Sequence, residues 1–151
     1  MQKRRGISPV IATVIIVAVT IAVAIAVAFW MTGIVGLFTG FEQLQITSVY
    51  DNSSGIVITV KNTGTSTATI TDIYVNGLPS SETGLQVNGQ AIGNGITLNP
   101  GENKTLVITL PHNGNGHFTV GPGVSLEIKL HTAGGKDYPK LIVLTTYTGG
   151  Q

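Results

Sequence analysis

Along the chain the hydrophobic pattern takes two unlike forms. Residues 7–41 read ISPVIATVIIVAVTIAVAIAVAFWMTGIVGLFTGF, and no charged side chain occurs from Gly6 to Phe41. The Ala, Val and Ile alternation between 17 and 28 has a strand's period, but the segment lacks a polar face. A lone strand leaves its backbone unsatisfied in lipid, whereas a helix satisfies its own, so the run predicts a helix. It exceeds the roughly 20 residues that cross a bilayer, and at about 1.5 Å per residue it would extend about 52 Å. Pro9 falls in the first turn, where its missing N–H costs nothing. Gly33, Gly36 and Gly40 mark where the helix should bend, thin or stop.

From Glu42 onward the period becomes two. Val124, Leu126, Ile128 and Leu130 alternate with Ser125, Glu127, Lys129 and His131, and the same alternation recurs at Leu106, Ile108, Leu110 and at Ile56, Ile58, Val60. Further strands are expected at 44–50, 68–75 and 141–147, with Asp72 breaking the phase of its strand as a bulge or bend. Turns are expected at Asn62-Thr-Gly64, Asn76-Gly77, Asn99-Pro-Gly101, Gly121-Pro-Gly123 and Gly134-Gly135. Residues 76–98 and 111–123 are Gly- and Asn-rich and read as long loops or short edge hairpins, one of them turning at Asn88-Gly89. Six or seven strands in 42–151 make an Ig-like sandwich. The expected fold class is therefore α+β: a basic leader over 1–6, a long apolar helix over 7–41, and an all-β domain over 42–151.

Charge sharpens this division. The chain holds 8 Lys and Arg against 7 Asp and Glu and no Cys, which excludes disulfides, thiol nucleophiles and any electrostatic case for nucleic acid. Three of the basic residues, Lys3, Arg4 and Arg5, stand directly before the apolar run. By the positive-inside rule they hold the N-terminus in the cytoplasm and send the β-domain outside. That domain carries 12 charged residues in 110, so its surface is mainly Thr, Ser, Asn, Gln and Gly. Low charge removes a self-repulsion that would oppose packing many copies together.

Residues 3–12, KRRGISPVIA, resemble the N-terminus of archaeal type IV pilins: a basic leader ending in Gly, then a Ser-Pro-Val-Ile start to an overlong apolar helix. The resemblance implies cleavage between Gly6 and Ile7 by a membrane-embedded aspartyl prepilin peptidase. It implies a precursor held in the membrane and then polymerised, by an assembly platform and its ATPase, into a homopolymer forming an extracellular cell-surface adhesion filament. Bacterial pilins carry Glu at the fifth mature position, which here is Ile11. Pilins of the Ser-Pro-Val-Ile type commonly lack that Glu, so subunit register is expected from helix packing. Thr20, Ala24, Ala28, Thr32, Gly36 and Gly40, recurring every four residues, are the expected small-residue ridge.

An archaeal flagellin shares leader, helix and β-domain and is the nearest alternative. A membrane-anchored extracellular binding module with an uncleaved signal anchor is the alternative of a different kind. Two sequons, Asn52-Ser-Ser54 and Asn103-Lys-Thr105, sit in expected turns of the external part, with a glycan expected on at least one. Nothing in the sequence spells an enzyme. His112, His117 and His131 lack ligand spacing, no Gly-x-Ser-x-Gly elbow occurs, and no acid and base pair is marked out. No cofactor or metal is expected.

Overall fold

The computed structural model describes residues 7–150, with the side chains of 7, 8 and 35–39 excepted. These residues divide into two compact units, with the boundary between Gly40 and Phe41. The first is a single helix, α1, Ile7–Thr39, 33 residues long and without an acidic residue in its first turn or a basic one in its last. It passes through Gly33 and Gly36 and stops before Gly40, two residues short of the expected end. Residues 40 and 41 belong to no helix or strand, and the backbone of Phe41 is bonded to the β-domain.

The second unit contains β1 Leu44–Asn52, β2 Gly55–Asn62, β3 Ala68–Val75, a short helix α2 Ser80–Thr83, β4 Gln86–Val87, β5 Ile96–Leu98, β6 Asn103–Thr109, β7 Ser125–Thr132 and β8 Asp137–Val143. A 3₁₀ turn at Gly114–Gly116 lies between β6 and β7. The strands form two four-stranded antiparallel sheets, in the orders β1-β2-β6-β4 and β5-β3-β7-β8. Each sheet turns its alternating apolar face inward. Ile56, Ile58 and Val60 of β2 and Leu106 and Ile108 of β6 are buried in one cluster with Ile70, Ile73 and Val75 of β3 and Leu126, Ile128 and Leu130 of β7. Burying each such side chain contributes roughly 1.5–3 kcal/mol, and the sandwich exists to collect that gain. The α+β class with a β-sandwich is thus the architecture of the chain.

The expected break at Asp72 is a bulge. Pairing with β7 passes from Ile70 opposite Thr132 to Asp72 opposite His131, leaving Thr71 as the extra residue and letting Ile70 and Ile73 both face inward. Asp72 Oδ1 then accepts the N–H of Ile73 at 2.8 Å and that of Ser80 at 3.3 Å. The Asn76-Gly77 and Asn88-Gly89 turns both place Asn and Gly at positive φ, the geometry of a two-residue turn that mirrors the usual one.

Two expectations are corrected. The last strand is displaced toward the N-terminus, from 141–147 to Asp137–Val143. The β7–β8 hairpin closes at Gly134-Gly135 and pairs His131 with Asp137 first, so polar residues enter the strand ahead of the apolar ones. Pro139 is tolerated because β8 is an edge strand. Residues 145–147 leave the ladder because their N–H groups are taken by Asp51. The second correction concerns the sequons. Asn103 is the first residue of β6 and not part of a turn, while Asn52 ends β1 at a hairpin.

Candidate functional site

The helix α1 offers no hidden polar face. Residues Pro9–Ile34 are long and apolar enough to cross a membrane, and none of that stretch is buried within the chain. Three of its hydroxyls, on Thr13, Thr20 and Thr32, bond back onto the helix itself. Thr13 Oγ1 donates to the Val10 carbonyl at 2.8 Å, Thr20 Oγ1 to Ile16 at 2.7 Å, and Thr32 Oγ1 to Ala28 at 2.9 Å. Back-bonding of this kind satisfies the hydroxyl without water, so the threonines cost little in an apolar setting. A helix that is apolar all round is stable only where lipid or other helices surround it.

Thr20, Ala24, Ala28 and Thr32 are all exposed on α1. At 3.6 residues per turn each four-residue step rotates by about 40°, so the row winds about 120° from Thr20 to Thr32. Such a ridge meets one neighbour where the helices cross, and different neighbours where they run nearly parallel. Gly36 lies inside α1, whereas Gly40 lies past its end. Ile7 is the first helical residue; Lys3, Arg4, Arg5 and Gly6 lie outside the described residues.

The β-domain grips the chain from its first residue. The Phe41 carbonyl accepts the N–H groups of Thr65 and Ser66 at 3.0 and 3.2 Å, and its N–H donates to Thr65 Oγ1 at 3.3 Å. The Glu42 carbonyl accepts Lys136 Nζ at 2.6 Å, and the Gln43 carbonyl accepts the Thr63 N–H at 2.7 Å. Glu42 Oε1 also accepts the hydroxyl of Thr132. Three consecutive carbonyls are therefore held by the 62–66 loop and the β7–β8 hairpin.

Asn62 shapes the first of these. Fully buried, it donates Nδ2 to the carbonyls of Ser66 and Leu98 at 2.9 and 3.0 Å and accepts the Gly64 N–H on Oδ1 at 2.9 Å. Two glycines let the grip close. A Cβ on Gly64 would strike the Phe41 carbonyl, and one on Gly134 would strike the Glu42 carboxylate. The turn residues Asn62, Gly64 and Gly134 stand out in sequence, but the roles of Glu42, Thr132 and Lys136 carry no local signal.

On the outer face of the second sheet, His131 Nδ1 lies 2.6 Å from Asp137 Oδ1 and Lys129 Nζ lies 3.2 Å from Asp137 Oδ2. Lys129 Nζ also sits 4.7 Å from the centre of the Tyr74 ring, which meets His131 edge to face. Hydrogen bonds from His131 and then Lys129 hold the Asp137 carboxyl below its ordinary range. Among the described residues no three His, Asp or Glu converge as a metal site would require. His112 is engaged elsewhere, with Nδ1 2.6 Å from the Thr148 carbonyl oxygen. No family model matches the chain, and no curated protein matches it. The two features with most to say about function are the bare apolar helix and the grip on the chain that follows it.

Proposed function

We propose that the chain is a structural subunit of an archaeal type IV pilus, a cell-surface filament built by polymerisation through α1. One observation carries the proposal: a basic leader ending at Gly6 runs directly into Ser8-Pro9-Val10-Ile11 and a helix that is apolar on every side. At about 1.5 Å per residue the 33 residues of α1 extend about 50 Å, some 20 Å beyond a bilayer core. In the precursor that surplus is only partly covered by lipid. In a bundle of identical helices the whole length is covered, and burial of apolar surface drives assembly.

On this reading Lys3, Arg4 and Arg5 orient the precursor, the peptidase cuts before Ile7, and an assembly platform with its ATPase lifts the subunit from the membrane. The sandwiches clothe the helical core. Their low charge permits dense packing, and the grip on residues 41–43 fixes where each sandwich begins.

The test is intact-mass analysis of the chain in filaments sheared from its own cells. The mature species is expected to begin at Ile7, with three of eight basic residues gone. A chain that stays in the membrane and retains residues 1–6 would instead establish a signal-anchored surface domain.

A further inference from the structure

Each sequon supplies an Asn amide and a hydroxyl two residues on, but their settings in the fold differ, and the difference selects one of them. Asn52 and Gly55 face each other as the last pair of β1 and β2, so Ser53 and Ser54 form the exposed tip of a hairpin. Asn52 Oδ1 accepts the N–H groups of Ser54 at 2.8 Å and Gly55 at 3.1 Å, and these two bonds turn the chain. The Nδ2 atom makes no hydrogen bond, and among the described residues only Tyr138 Oη is a buried side-chain polar atom without a partner. Asn52 is half-buried, and its Nδ2 is not sealed from solvent. Ser54, which supplies the hydroxyl two residues on, is exposed.

Asn103 differs in its backbone. It is exposed, but Asn103 and Thr105 are paired with Lys61 and Thr59 of β2, and the Thr105 hydroxyl lies 3.4 Å from that of Thr59. A transferase must surround three consecutive residues while it brings a sugar donor to the amide. A projecting two-residue tip enters such a cleft more readily than residues 103–105, whose backbone is paired with β2 along one edge.

We propose that Asn52 is a glycan acceptor in the folded domain and that Asn103 is not. The proposal rests on export of the β-domain, as the pilin reading has it. The donor class is a lipid-linked sugar phosphate. Nδ2 forms the new bond to the anomeric carbon, the bond from that carbon to the phosphate oxygen breaks, and the phosphate leaves with the electron pair. One Nδ2 proton passes to a base on the transferase. The product is still an amide, so Oδ1 keeps both backbone donors and the hairpin loses no hydrogen bond on modification.

The experiment is peptide mapping by mass spectrometry of the full chain from its own cells, in wild type, Ser54→Ala, Ser54→Thr and Asn103→Gln forms. Ser54→Ala removes the acceptor motif while leaving Asn52 and both turn hydrogen bonds in place, so it does not confuse loss of sugar with loss of fold. The Asn52 peptide is expected to carry one or more sugar masses in wild type, Ser54→Thr and Asn103→Gln, and none in Ser54→Ala. A bare Asn52, a sugar on Asn103 with or without one on Asn52, or a mass on the Asn52 peptide that survives Ser54→Ala overturns the proposal. Protease treatment of intact cells separates the two ways of failing. A bare Asn52 on a domain digested from outside removes only the acceptor assignment, while a bare Asn52 on a protected domain removes the export reading with it.

Discussion

Asp51, near the end of β1, accepts the backbone N–H of Tyr147 at 2.8 Å across 96 residues of sequence. The same carboxylate accepts the N–H groups of Thr145 and Thr146 at 2.9 and 2.6 Å and the Thr145 hydroxyl at 2.8 Å. One side chain thereby ties the segment after β8 to the edge of the other sheet. It also brings Tyr147 into the core, where Oη exchanges two hydrogen bonds with the backbone of Leu110 at 2.8 and 2.9 Å.

This arrangement predicts acid sensitivity. Partial desolvation opposes ionisation of Asp51, but the donors on Thr146, Tyr147 and Thr145 outweigh it and hold the carboxyl far below its ordinary value of 3.8. A depressed folded-state pKa stabilises the domain above about pH 4 and loses that contribution as the pH falls toward the folded value. Asp51→Asn should cost about 2 kcal/mol at neutral pH, because the amide oxygen can take the place of Oδ2 and keep its three backbone donors but without the charge that strengthens those bonds. It should also flatten the decline of stability below about pH 4. Denaturant unfolding at pH 7 and at pH 3 measures both effects; an unchanged acid slope would show that other carboxylates govern it.

The grip on residues 41–43 predicts unequal effects of two similar substitutions. Gly64→Ala sets a methyl against the Phe41 carbonyl, and backbone held by several hydrogen bonds has nowhere to go. It should destabilise the domain by about 1–3 kcal/mol. Gly134→Ala meets first the Glu42 carboxylate, a side chain that can rotate away at the cost of its bond to Thr132. It should cost less and act locally. Limited proteolysis, with cleavage around residues 40–43 timed in each variant, tests the ranking. Equal protection in both would mean that neither contact limits access to this segment.

Helix packing is probed at Ala28, in the middle of the winding row of small residues. In the proposed filament, Ala28→Leu would add bulk along the expected packing row, at a cost of about 1–3 kcal/mol per overpacked contact, repeated in every subunit. Insertion into the membrane should be unchanged, because leucine is at least as favourable there as alanine. The comparison is membrane-held subunit against sheared filament in cells making the variant. Normal filament yield and heat resistance would show that this row lies outside the seam.

Much of the architecture follows from local pattern alone. The helix is legible because an unbroken apolar run leaves only one way to satisfy its own backbone. The central strands β2, β6 and β7 are legible because inward and outward positions alternate in each, and the bulge at Asp72 shows as a slip in that alternation. The leader and the Ser8-Pro9 start are sequence features by nature, and the functional reading rests on them. What local pattern does not hold is any relationship that depends on distant chain. Where β8 starts is decided by closure of its hairpin with β7, and where it ends by a carboxylate on β1 that diverts three N–H groups. The hold on residues 41–43 depends on carbonyls being received by the 62–66 loop, and the order of strands depends on which edges bury the most apolar surface together. Both sequons satisfy the acceptor motif, and pairing of β6 with β2 against the free tip of the β1–β2 hairpin sets them apart. Alternation reports which side of a strand meets the core, but the hydrogen bonds between residues 90 to 96 positions apart form only once both sheets have come together.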